Sequence, residues 1–150
     1  MKTSMHVGTH IDGPRHLLNG APFVADISIN NFIGRGVLLD ARGKRVITHD
    51  LLHGKNIEKD AIVLVLTGWD KKYNDPAYMT EHPVFDKDCA QALIACNIRL
   101  VGIDMPSVDD GSLSIHKIFF EHTIMIIENL THLDALVDVA KFTVYDIAIS

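Results

Sequence analysis

Three imidazoles and one carboxylate fall within eleven positions of this chain, in the run His6-Val7-Gly8-Thr9-His10-Ile11-Asp12-Gly13-Pro14-Arg15-His16. Both group types bind divalent ions and move protons, and together they suit zinc, manganese or iron rather than a thiolate-seeking metal. A regular helix is disfavoured here, because Gly8, β-branched Thr9 and Ile11, and Pro14 all oppose one. The His6/His10 spacing therefore differs in kind from the helical HExxH zinc motif, whose glutamate is absent. An irregular segment can still converge its side chains. His6, His10 and Asp12 offer three ligands to one ion and leave a coordination position for water, as a catalytic site requires. The plain alternative is a surface loop that happens to be rich in histidine.

Other groups carry less information on their own. Glu128 reads as an ordinary strand-end acid. Asp104, Ser107, Asp109 and Asp110 follow an apolar strand, at the end where α/β proteins often place function. Asp104 and Ser107 could support ligands from behind, whereas Asp109 and Asp110 read as a solvated loop. Trp69 directly follows a strand and could wall an aromatic substrate pocket, or pack as a partly buried core residue. His49 and His53 are four apart in a helical turn and could clasp a metal, but His53 beside Gly54 better suits the negative end of that turn. His82, His122 and His132 are isolated. Cys89 and Cys96 lie two helical turns apart, too far for a disulfide, and read as buried structural thiols on one face.

The pattern His-x-Gly-Thr-His-x-Asp-x-Pro-x-His, filled at His6, Gly8, Thr9, His10, Asp12, Pro14 and His16, resembles the signature of the cyclase-like metal-dependent hydrolases. The best-known members of that family are bacterial kynurenine formamidases. His116, followed by the apolar Thr123 to Ile127 and then Glu128-Asn129-Leu130, is similar to a second family segment. Thr67-Gly68-Trp69 and Gly102-Ile103-Asp104 with Ser107 extend the likeness between the two. The resemblance implies that Asp12 bridges to a second metal held by His116 and Glu128, giving one or two zinc or manganese ions. It implies that His16 is the catalytic histidine and not a ligand. Water activated by the metal would attack a small amide or formyl carbonyl while His16 passes a proton to the departing amine. A structural histidine bonded to a backbone carbonyl is the alternative for His16.

The expected activity is hydrolysis of an arylformamide such as N-formyl-kynurenine. A cyclic, isatin-like amide is the competing substrate, and a catalytically weak metal-binding oligomeric module is the competing function. Relative to the family, the chain is expected to be shortened at both ends, with only five residues before the motif.

The elements that must position these groups alternate along the chain. Gly36 to Asp40 predicts a short strand, and Thr48 to His53 a helical turn with Thr48 as N-cap. Ala61 to Leu66 is a continuous apolar run, as a strand buried on both faces would be. A helix over Asp86 to Cys96 and a strand over Arg99 to Ile103 complete a βαβ unit, expected to be right-handed. Ile124 to Ile127 and Phe142 to Ile149 supply two more strands. The long irregular stretch from Trp69 to Val84 could cover a pocket. This order predicts an α/β sandwich, and the resemblance implies the swivelling β/β/α form of it.

A chain of 150 residues, 47% apolar, suits a single domain over residues 1–150. Its formal charge of −5 argues against a nucleic-acid partner. The apolar runs are strand-sized, so no membrane span is expected, and the start has no secretory h-region, making the cytoplasm the default. A small molecule is the expected ligand. With an N-terminal wall missing, Ala61 to Leu66 should lack cover, which predicts a homo-oligomer, most simply a dimer.

Overall fold

In the computed structural model, which describes residues 6–146, a six-stranded sheet runs through the molecule in the order β1-β7-β6-β4-β2-β8. Its strands are β1 (His10–Asp12), β2 (Ile33–Asp40), β4 (Ile62–Leu66), β6 (Leu100–Ile103), β7 (Met125–Glu128) and β8 (Phe142–Tyr145). Two further short strands, β3 (Val46–Ile47) and β5 (Val84–Phe85), pair in parallel beside it. The four inner strands are mutually parallel, and the outer strands β1 and β8 are antiparallel to their neighbours.

A strand buried on both faces needs no polar alternation, and β4 shows this: every residue from Ile62 to Leu66 is buried. Alternate side chains divide the core in two. Val63, Val65, Val101, Ile103 and Ile126 pack under the helices with Cys89, Leu93, Phe119 and Phe120. Ile62, Leu64, Leu66, Leu100, Met125 and Ile127 meet Phe32 and Leu133 on the opposite face. The helices are α1 (Lys87–Ala95) and α2 (Ser114–Glu121). Asp86 caps α1 by accepting from Cys89 N at 2.7 Å, and Asn97, at φ 53, lies just beyond its end. None of the helices among the described residues is long and apolar enough to cross a membrane.

Several expected boundaries move. The strand expected at Gly36 begins at Ile33, and the one expected at Ile124 starts at Met125 and ends on Glu128. The last strand ends at Tyr145, and its expected residues 147–149 lie outside the described ones, as do residues 1–5. The helical turn at His49–Leu52 is a 3-10 turn with Thr48 before it. Cys89 is buried while Cys96 at the end of α1 is half-buried, and both are free thiols. One expectation is overturned outright. The run from Ala61 to Leu66 is covered within a single chain, because β2 and β6 flank it and both faces are packed. It gives no reason for self-association.

Candidate metal centre

The motif segment is not wholly irregular. His10–Asp12 forms β1, and Pro14–His16 forms a 3-10 turn with proline at its start. Antiparallel pairing of β1 with β7 sets His10 opposite Glu128 and Asp12 opposite Ile126. Residues two apart in a strand share a face, and directly opposed residues share it too. His10, Asp12 and Glu128 therefore project together from one end of the sheet. Gly8, at φ 73, turns the preceding chain so that His6 folds back over the same point. His116 enters from the first turn of α2, fully buried.

The donor atoms converge. His6, His10, Asp12 and Glu128 each offer one ligand atom within 4.8 Å of the others. His6 Nδ1 lies 3.0 Å from His10 Nε2 and 3.5 Å from Asp12 Oδ1. His10 Nε2 is 3.8 Å from Asp12 Oδ1 and 3.3 Å from Glu128 Oε2. On the other side, His116 Nε2 is 3.1 Å from Glu128 Oε1 and 4.0 Å from Asp12 Oδ2. Each carboxylate thus turns one oxygen toward the His6/His10 pair and the other toward His116.

Whether this set suits a cation can be read from the outer nitrogens. His10 Nδ1 is bonded to Gly8 O at 2.9 Å, and His116 Nδ1 to Asp109 Oδ2 at 2.7 Å. Both rings are therefore held from behind with Nε2 directed inward, the arrangement that orients metal-ligating histidines. Two carboxylates buried side by side, Asp12 and Glu128, also call for positive charge between them. The residues fit one or two divalent ions.

Without metal, protons do part of that work. Hydrogen bonding to Glu128 raises the His10 pKa against the opposing effect of burial. Burial pulls the His116 pKa down, but the Asp109 and Glu128 carboxylates outweigh it and lift the value to about 9. Burial likewise pushes Glu128 and Asp109 up, and their histidine partners more than reverse this, leaving both below the usual carboxylate range.

The remaining candidates separate. His16 is exposed on the wall of the cavity, its backbone N–H donating to Gly13 O at 2.9 Å and its ring 4.8 Å from that of His6, and no described residue accepts a hydrogen bond from the ring. Ser107 lines the cavity and its Oγ accepts from Asp109 N at 3.1 Å. Asp104 is fully buried and is not part of the cavity lining. It accepts from Thr67 N, Thr67 Oγ1 and Gly68 N, so it ties the end of β4 to β6, and burial raises its pKa. Trp69 does not wall the cavity. It packs on the helix-side core and donates from Nε1 to Tyr78 O at 3.0 Å, with Lys72 over its ring. Tyr73, Pro76, Tyr78 and Met79 supply the wall instead, from the long stretch after β4. Asp109 is no solvated loop residue: it is 2% exposed and accepts from Ile115 N, His116 N and His116 Nδ1. His49 and His53 have rings 6.0 Å apart, both exposed, and join no third ligand among the described residues.

The cavity over the centre has a volume of about 690 Å³. Asp12, His116, Glu128 and Asn129 line it together with Tyr73, Tyr78, Met79 and Leu113. The Tyr73 and Tyr78 rings meet edge to face at 5.2 Å. A polar floor that can hold cations under an aromatic and aliphatic rim suits a small molecule with an apolar ring and a carbonyl.

Comparison with known proteins places this arrangement among others. The model of the Cyclase family matches residues 1–110. Kynurenine formamidase from Bacillus mycoides (strain KBAB4) is 35% identical over 138 residues, which is 90% of this chain. The chain spans 65% of that relative's length. A solved potential metal-dependent hydrolase with cyclase activity superposes with a TM-score of 0.76 at 29% identity, over 95% of this chain and 69% of the other. Isatin hydrolase A from Ralstonia solanacearum gives a TM-score of 0.76 at 25% identity, over 87% of this chain and 61% of its own. The α/β class expected from the sequence is the fold of these solved structures.

Proposed function

The chain belongs to the Cyclase family, and from that premise we propose that it is a metal-dependent hydrolase of a small amide, most simply an arylformamide such as N-formyl-kynurenine. The observation that carries this reading is the convergence of His6, His10, Asp12, His116 and Glu128 under a cavity with His16 on its wall. Likeness to kynurenine formamidase supports the formamide. A cyclic amide of the isatin type is the second reading, favoured by the similarity to isatin hydrolase A.

His6, His10 and Asp12 would hold one ion, and Asp12, His116 and Glu128 a second, with zinc or manganese the ions this donor set suits. A bound divalent cation supplies Lewis-acid polarisation of a carbonyl and brings the ionisation of water toward neutral pH. The chain's own residues do the rest. Asp12 and Glu128 each divide their oxygens between the two histidine groups and so keep the sets in register. Asp109 holds the Nδ1 proton of His116 and keeps Nε2 inward. A ring nitrogen of His16, unencumbered by the ligand cluster, carries a proton to the nitrogen of the departing amine. The rings of Tyr73 and Tyr78, with Met79 and Leu113, cover an aryl group and exclude water.

The test is metal analysis of protein purified without chelators, combined with hydrolysis assays on N-formyl-kynurenine and isatin. One to two divalent ions per chain with formamide turnover is the expected result. Bound metal without turnover of either substrate would leave a binding module and reject the enzyme.

A further inference from the structure

Asn129 directly follows the ligand Glu128, in left-handed backbone at φ 57, and is 7% exposed. Its backbone is fixed on both sides: the N–H donates to Met105 O at 3.1 Å, and the carbonyl accepts from Thr9 Oγ1 at 2.7 Å. Its side-chain Oδ1 accepts from the Tyr78 hydroxyl at 2.6 Å. That hydroxyl stays protonated, because burial pushes the Tyr78 phenol far up its range. Tyr78 is itself held by Trp69 Nε1 on its carbonyl and by the ring of Tyr73.

With Oδ1 engaged, the free end of the carboxamide is Nδ2, which carries two donors. No described residue accepts from it, and Asn129 lines the cavity beside Asp12, His16 and Glu128. Nδ2 is not among the buried polar atoms left without a partner in the described residues, so it reaches the solvent of the cavity and its donors are open to a ligand oxygen that displaces water. A carbonyl oxygen has two lone pairs, so it can accept an N–H while also facing a cation.

We propose that Asn129 is a substrate-binding residue whose Nδ2 donates to the carbonyl oxygen of the bound amide, with Tyr78 as the positioning residue that aims it. The proposal rests on the hydrolase reading, which supplies the amide. Trp69, Tyr78 and Asn129 then form a relay that fixes one donor direction from the cavity wall.

Zinc-loaded parent, Asn129→Gly, Asn129→Asp and Tyr78→Phe proteins provide the test. Glycine suits the left-handed backbone, so Asn129→Gly removes the amide without imposing strain. Three readouts are needed: metal content, formanilide hydrolysis, and calorimetric binding of acetanilide, an anilide offering the same carbonyl acceptor. Both Asn129 variants should keep their metal and bind acetanilide roughly 3–10-fold more weakly, the size of one neutral hydrogen bond, with at least that loss in formanilide kcat/KM. Tyr78→Phe keeps the ring and should show a smaller loss in the same direction, which a packing role alone would not produce. Parent-like acetanilide binding in Asn129→Gly, a loss that merely tracks metal loss, or no acetanilide binding by the parent would overturn the proposal. A parent that binds acetanilide through Asn129 yet leaves formanilide intact would reject the hydrolase reading alone.

Discussion

Asp109 shows how a single side chain can govern a ligand it does not replace. Its carboxylate takes the Nδ1 proton of His116 and two backbone N–H groups at the start of α2, so it fixes both the ring and the helix that carries it. Asp109→Asn should weaken the ion held by His116 by about 10–100-fold, as seen when such supporting partners are removed, while the His6 and His10 side loads normally. Metal titration with two resolved binding steps checks this. The proton balance follows from the same residue. The His116 pKa, lifted to about 9 from an ordinary value near 6.5, lies above its unfolded value. Its contribution to the metal-free protein is therefore fully present below about pH 6.5 and lost as pH rises through about 9. Melting temperatures of metal-free protein should fall between pH 7 and pH 9.5, and Asp109→Asn should flatten that fall. Metal uptake near pH 7 should release a proton, visible by calorimetry in buffers of different ionisation enthalpy. His16 behaves otherwise. His16→Ala should keep its metal and lose about 10²–10⁴-fold in kcat, and a metal-free product would make His16 a ligand. The ligand run was legible because its donors lie close together in sequence. Asp109 was not, because Asp109-Asp110-Gly111 has the composition of a solvated turn and its partner sits on the next helix.

Among the elements, β4 was the most legible, since an unbroken aliphatic run of strand length admits few other fates. The three residues of β1 carry no alternation that could mark a strand, and their pairing with β7 spans most of the chain. Periodicity sees neither. The stretch from Trp69 to Val84 was legible as the cover of a pocket, but not which of its aromatics faces the site: Trp69 and Tyr78 are close in sequence, and only the chain path puts Tyr78 on the cavity and Trp69 behind it. At the opposite edge, Gly36 of β2 lies under the Phe142 ring of β8, and a Cβ there would collide with that ring. Gly36→Ala should cost about 1–3 kcal/mol by overpacking, read as a lower urea midpoint, and Phe142→Leu in the same chain should recover part of it. Helix α1 gives a second check. Burial pushes the Cys89 thiol up to about 12, and the residue is fully buried, whereas Cys96 is half-buried. Native protein should label slowly and at one thiol per chain, with both reacting after unfolding.

At the scale of the molecule, the sheet is covered unequally. Helices α1 and α2 close one face, while the other is covered by irregular segments around Phe32 and Leu133. The α/β class was legible from the order of elements, but this asymmetry was not, because irregular segments leave no period in the sequence. The buried acids of the metal centre are the molecule's main electrostatic debt, and ions that bind only the folded state add stability by mass action. The melting temperature should rise with added zinc and drop on chelation, and the zinc dependence should be weaker in Asp12→Ala, which removes the carboxylate shared by both ligand sets. A chelator without effect on melting would argue against a site formed by the native fold.

The ligands that β1 contributes come from one end of the sequence and those of α2 and β7 from the other, so an ion between them closes a loop through nearly the whole chain. Such a closure acts like a cross-link, and its entropic value grows with the length enclosed. The strand it secures is only three residues long and sits at the sheet edge, with little hydrogen bonding of its own to resist peeling. Loss of the ion should therefore release the amino-terminal segment before the parallel strands give way. Arg15 lies in that segment, exposed and resting over the Phe23 ring, and offers trypsin a site. Chelated protein should be nicked at Arg15 well before the core is digested, and zinc should slow that first cut selectively.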